Sequence, residues 1–150
     1  MSRDAARERV LTTLRFFWTA PQGPQSTGVT GYHGFYYHFL DMQTGLRFEQ
    51  VELSTIDTAL LLAGVLTCRQ YFDGNDAGDH EVRALADSIY YRVDWKWANN
   101  GAPVVGRGWH AEATQHDSHD VLARTWGGSD AGMVLNVTGS GTATDAGHEK

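Results

Sequence analysis

Glu52-Leu-Ser-Thr-Ile-Asp-Thr-Ala-Leu-Leu-Leu-Ala-Gly-Val-Leu66 is the stretch around which the rest of the chain can be read. Ser54-x-x-Asp57 ahead of an apolar run is a capping-box-like helix start. No polar side chain follows from Ala59 to Leu66. A helix without a polar side must be covered by other elements all round, and this one is too short to span a bilayer. The expectation is a buried helix with two acids, Glu52 and Asp57, at its N-terminal mouth on the floor of a pocket.

Working outward, residues 3–18 read as an amphipathic helix capped by Ser2. Ala6, Val10, Leu14 and Phe17 share one face, and Arg3, Arg7 and Arg15 point elsewhere. Pro21-Gln-Gly-Pro24 ends that helix and opens a glycine-rich loop to Gly34. Phe35-Tyr-Tyr-His-Phe-Leu40, the turn Asp41-Met-Gln-Thr-Gly45 and Leu46–Val51 read as a short β-hairpin delivering the chain into the Ser54 cap. The central helix is expected over 55–72, with Arg69 in its last turn opposing the helix dipole. A third helix is expected over 80–93, capped by Asp79. Its buried stripe is Val82, Leu85, Ala86, Ile89 and Val93, and Glu81, Arg83, Asp87 and Arg92 are solvated. One fully buried and one half-exposed helix imply two helical layers rather than a simple bundle. Residues 111–150 are poor in periodicity and rich in Gly, Ser, Thr, Asp and His, so they are expected to form a divergent or disordered tail.

The chain has 150 residues, enough for one domain with a sizeable core. Its net charge of −6 and lack of any basic run argue against a nucleic-acid or anionic-membrane partner. The single cysteine, Cys68, excludes an intrachain disulfide and reads as a small buried hydrophobe. The charged N-terminal stretch carries no signal-peptide apolar core. The expected location is cytoplasmic for the sequence as written, or periplasmic if a leader precedes it.

Four separated motifs carry a resemblance. They are Leu11-Thr-Thr-Leu-Arg-Phe-Phe-Trp18, Gly34-Phe-Tyr-Tyr-His-Phe-Leu-Asp-Met-Gln-Thr-Gly45, Glu52-Leu-Ser-Thr-Ile-Asp-Thr-Ala-Leu-Leu-Leu-Ala-Gly64 and Ile89-Tyr-Tyr-Arg-Val-Asp-Trp95. In this order and spacing the chain resembles the bacterial glycoamylase-like family, related to endo-β-1,2-glucanases and to domains attached to cyclic β-1,2-glucan synthases. The match runs over residues 8–110. The resemblance implies a mainly α fold, part of an (α/α)6 toroid with a short β-hairpin, and a partial domain over residues 1–110. It also implies hydrolysis of β-glucan, most naturally β-1,2-linked, with an oligo- or polysaccharide partner and no cofactor. Beyond Gly108-Trp-His110 the family continues with a Pro-Glu pair, a Trp-x-Gly-Tyr segment and a Glu-Ala-Met helix. Here His110-Ala-Glu-Ala and Trp126-Gly-Gly-Ser-Asp130 stand in their place.

Glycoside hydrolysis needs two carboxyl groups, one protonated and one ionised, in different surroundings. Asp57 lies in the first turn of a helix, where the dipole and free N–H groups favour negative charge. Glu52 precedes the cap between Val51 and Leu53, where desolvation would favour the protonated form. Glu52 is therefore the better acid, and Asp57 the better base or acceptor of sugar hydroxyls. Asp57 has a second reading as the mere capping partner of Ser54. Aromatic faces for pyranose rings are offered by Tyr36, Tyr37, His38, Trp95, Trp97 and Trp109. Strand alternation puts Tyr36 and His38 on one face and Tyr37 on the other. Asp41 could contact sugar, although plain turn chemistry is the stronger reading, and Asp94 is open between capping and binding.

His110, His116 and His119 with Asp117 and Asp120 fit no recognised zinc spacing, so no metal is expected. Asn136-Val-Thr138 matches a glycosylation sequon by pattern alone. Two rivals to the hydrolase stand beside it. One is a carbohydrate-binding remnant that has kept its aromatics and lost its chemistry. The other is a truncated product without independent activity, marked by exposed apolar surface around the central helix.

Overall fold

The computed structural model describes residues 1–99 and 105–112. Three long helices, α1 (Arg3–Thr19), α2 (Thr55–Tyr71) and α3 (Ala77–Tyr91), enclose the core, and the short α4 (Trp95–Asn99) follows α3. A small antiparallel sheet is built from β1 (Gly31–Tyr32), β2 (Phe35–Tyr37), β3 (Leu53–Ser54) and β4 (Gly108–Trp109), in that spatial order. The fold is thus mainly helical with a small sheet, and Leu11, Leu14, Phe35, Leu53, Leu62, Val82, Ile89 and Trp95 fill its centre.

The helix starts follow the sequence closely. Ser2 caps α1 by accepting from the Ala5 N–H, and Ser54 caps α2 by accepting from the Asp57 N–H. The start of α3 differs: its cap is Asp76, which accepts from the Asp79 N–H. Asp79 instead lies inside the first turn with no exposed surface. Arg3 donates to it at 2.7 Å, Arg7 at 3.0 Å and the Gly74 N–H at 2.9 Å. The Arg3 bond, together with Arg7 and Gly74, outweighs desolvation and holds the Asp79 carboxyl down to about 2. That link between α1 and α3 is therefore intact at all but strongly acidic pH.

The charges expected to be solvated act as ties between helices. Arg15 forks onto Glu81 at 2.7 Å through both Nε and Nη2. Arg69 of α2 pairs with Asp87 of α3. Arg83 donates to the Phe72 and Gly74 carbonyls, and Arg92 to those of Phe17 and Trp18. Each ends in the polar seam around α3, which packs against α1 on one side and α2 on the other.

The hairpin expected over residues 35–51 is largely replaced. The partners of β2 are β1 (Tyr32↔Phe35) and β3 (Tyr37↔Leu53). The turn joining β1 to β2 is His33-Gly34, with φ of 51° and 82°, the left-handed pair that a tight hairpin turn requires. Between the expected arms only Leu40↔Arg47 forms a bridge. The Arg47 N–H goes to the Val29 carbonyl, and Glu49 turns left-handed at φ 48°, so the second arm cannot stay extended.

The covering of α2 also differs from expectation. Thr55, Thr58, Ala59, Leu62 and Val65 are buried, but Leu60, Gly64, Thr67 and Tyr71 form an exposed stripe at helical spacing. Leu60 is 52% exposed. Beside this stripe runs an apolar groove of about 330 Å3 between α1 and α2, lined by Val10, Leu14, Leu61, Gly64, Val65 and Cys68 among others. Among the described residues the helix is left bare along one stripe rather than sheathed all round. No helix among them is long and apolar enough to cross a membrane.

Candidate functional site

The mouth of α2 is stitched to the sheet by its first-turn hydroxyls. Thr58 donates to the Ser54 carbonyl at 2.7 Å and accepts the Tyr36 N–H at 3.0 Å. Thr55 donates to the Gly106 carbonyl at 2.7 Å. The helix start is thereby fixed between β2 and the segment leading into β4. The residue types are those expected of a helix start, because short hydroxyls satisfy backbone groups that have no partner within the helix.

Just past β2 and just before β3, the ladder continues with the His38 N–H donating to the Glu52 carbonyl at 2.9 Å. This brings the two side chains together: His38 Nδ1 is 2.7 Å from Glu52 Oε1. On its other side, His38 Nε2 is 3.6 Å from Asp57 Oδ2. Three of the residues singled out in the sequence therefore converge, with one imidazole between two carboxylates, all of them partly exposed. Asp57 also accepts from the Ser54 hydroxyl at 2.5 Å, so it is a capping partner and a member of the cluster at once.

The surroundings of Glu52 run against the expectation of a protonated acid. Burial pushes its carboxyl up, but its own backbone N–H, the His38 bond and the charges of His38 and His110 outweigh that. Its pKa ends below the ordinary value. Gly108 allows this close approach, since a Cβ there would lie 2.5 Å from the Leu53 carbonyl oxygen and 3.3 Å from Glu52 Cγ.

Other predicted residues lie elsewhere. Tyr36 is buried, donating through its hydroxyl to the Phe17 carbonyl and meeting Arg92. Trp95 is buried edge-on against Phe35. Neither offers a face to a ligand. Tyr37 is buried with the Arg47 guanidinium over its ring. Asp41 accepts from the Thr44 and Gln43 N–H groups and the Thr44 hydroxyl. Those bonds, the Thr44 N–H first, pull its pKa down, so it holds the 41–45 turn. Asp94 caps α4 by accepting the Trp97 N–H, with His33 at 3.4 Å. Trp97 and Trp109 are half-buried and share an aromatic cluster with Tyr32 and His33.

Three contributors escaped the sequence reading. Phe39 is 57% exposed and stacks on His38, with centroids 4.3 Å apart and planes 12° from parallel. It is the open aromatic face beside the acids. Glu112 and Arg47 form a forked pair at 2.5 and 3.0 Å. Arg47 holds the Glu112 carboxyl below its usual range. The echo of the family's Pro-Glu pair in Ala111-Glu112 was the available signal for Glu112; Arg47 carried none. Among the described residues no group of His, Cys, Asp and Glu is arranged to hold a metal ion. His116, Asp117, His119, Asp120 and the Asn136 sequon lie outside the described residues, as does nearly all of the 111–150 tail.

No family model matches the chain. An exo-β-1,2-glucooligosaccharide sophorohydrolase (non-reducing end) of Parabacteroides distasonis is 30% identical over 71 residues, which is 44% of this chain and 10% of that protein. Among solved structures, a glucoamylase-like protein of Bacteroides uniformis matches with a TM-score of 0.76 and 19% identity, over 96% of this chain and 33% of that one. An endo-β-1,2-glucanase of Chitinophaga pinensis, solved with sophorotriose and glucose, matches with a TM-score of 0.73 and 20% identity, over 92% and 31%. The chain is a partial match to this group of glucoamylase-like proteins and β-1,2-glucan hydrolases. It spans a tenth of the curated relative and about a third of the two solved proteins.

Proposed function

We propose that the chain is part of a glycoside hydrolase-like domain acting on β-1,2-linked glucan, and that its helices form one sector of an (α/α)6 toroid. The observation that carries the proposal is the meeting of Glu52 and Asp57 at His38, within a fold shared with β-1,2-glucanases. One carboxyl protonates the departing glycosidic oxygen; the other either activates the water that takes its place or attacks the anomeric carbon itself, giving a glycosyl-enzyme ester that water then hydrolyses. Phe39 supplies the stacking face for a glucosyl ring. In the unliganded arrangement Glu52 is set up as the ionised partner. The acid role favoured by the sequence requires a bound saccharide to strip water from Glu52 and part it from His38. No cofactor enters this reading.

A second reading, saccharide binding without hydrolysis, is favoured by the Glu52 carboxyl, which is held below its ordinary value rather than kept protonated as an acid. Incubation with β-1,2-glucan separates the two. The hydrolase reading expects release of reducing ends by the chain as it stands, and a drop of at least ~100-fold in Glu52→Gln, the scale of a lost general acid or base. Retention of β-1,2-glucooligosaccharides without release supports the second reading. Neither binding nor release removes both.

A further inference from the structure

Arg47 has a side chain with no exposed surface. A guanidinium buried this way survives only where its donors are met. Nε donates to the Val51 carbonyl at 2.8 Å, and Nη1 to the Ser26 carbonyl at 3.0 Å. Nη1 and Nη2 fork onto Glu112 at 2.5 and 3.0 Å. The Arg47 Cζ lies 4.4 Å from the centroid of the Tyr37 ring, over its face.

Three of these partners, all but Ser26, adjoin residues of the candidate site. Val51 immediately precedes Glu52, Tyr37 immediately precedes His38, and Glu112 follows His110 by two residues. Those three arms start from residues 37, 51 and 112, and the strands of the sheet that deliver them are only two or three residues long. Strands so short do little to fix register alone. We propose that Arg47 is a positioning residue that clamps the arms carrying His38 and Glu52 to the segment that follows β4, so that the His38 imidazole stays against Glu52. Its side-chain hydrogen bonds and its ion pair go to Val51, Ser26 and Glu112, not to the site side chains themselves. Its fork fits a carboxylate in a way that a lysine ammonium cannot.

The readouts need no saccharide, so the clamp stands or falls apart from the hydrolase reading. The intact chain and its Arg47→Lys variant are compared by NMR titration of the Glu52 carboxyl and by amide hydrogen exchange. Arg47→Lys keeps the charge and loses the fork. The Glu52 midpoint is expected to rise toward the ordinary carboxylate value. The Gly108 and Trp109 amides are expected to exchange more than 10-fold faster, while Leu14 in α1 and Ile89 in α3 keep their protection. An unmoved Glu52 midpoint with unchanged exchange in β4 overturns the proposal. So does a uniform acceleration across α1, α3 and β4, which is the mark of a general stabiliser. If Arg47→Lys does not fold, Glu112→Gln decides. It leaves the Val51 and Ser26 bonds in place, and it must loosen β4 selectively for the clamp to stand.

Discussion

The mouth of α2 and its flank are held by opposite means. At the mouth, Ser54, Thr55 and Thr58 bond to backbone groups of β2, of the segment before β4 and of the helix itself. Along the flank, Leu60 and Gly64 line an apolar groove, and a Cβ added at Gly64 would meet nothing within 4 Å. Directional bonds are concentrated at the end of the helix where Glu52 and Asp57 meet His38. The non-directional hydrophobic effect is left to hold the rest, and on one side it is not fully used. A helix can therefore be precise at one end and unfinished along one side.

The largest effect is expected inside the helix, away from both regions. Leu62 has no exposed surface and packs in the core. Leu62→Ala should cost about 2–5 kcal/mol, combining lost transfer energy with the cavity left behind, as read from the shift in the urea midpoint. A loss well below ~1 kcal/mol would mean that the core around α2 is as loose as its flank, and the contrast would disappear.

A smaller effect is expected at the mouth. Thr58→Val keeps the shape of the side chain but removes the acceptor of the Tyr36 N–H and the donor to the Ser54 carbonyl. Leaving a buried amide unmet costs about 1–3 kcal/mol. Because Tyr36 lies two residues before His38, the His38–Glu52 contact should loosen with it. The measurement is the Glu52 carboxyl titration beside the stability curve. Lost stability with an unchanged Glu52 midpoint would show that the stitching serves the fold and not the site.

What the sequence revealed follows the same division. The ends of α1 and α2 were legible because capping is local: Ser2 and Ser54 each act on an amide three residues away. The start of α3 was misplaced for a reason equally local, since Asp76 and Asp79 are both capable caps. The choice between them was made by Arg3 and Arg7, more than 70 residues earlier. Glu52 and Asp57 could be paired by their place around one cap, and His38 could be suspected as an aromatic. That the imidazole would sit between the two acids depended on β2 pairing with β3, and strands this short leave little periodic trace. Arg47 and Glu112, 65 residues apart, meet through burial and charge alone. The run from Ala59 to Leu66 misled in the other direction. An apolar sequence states what a helix would prefer to bury, and the neighbours present decide how much of it is buried.

The smallest effect is expected on the flank, and it sharpens the comparison most. Leu60 is half in water already, so Leu60→Lys gives up little burial, and its long stem can lie along the groove while the ammonium stays hydrated. Folding stability should change by no more than ~0.5 kcal/mol. Self-association should fall, because the exposed apolar strip is interrupted by charge; light scattering across a concentration series checks this. A cost approaching that of Leu62→Ala would mean that the flank is covered in solution. A charge at Leu60 that leaves both stability and association unchanged would make the bare strip a harmless surface, and the contrast between mouth and flank would carry no consequence for association.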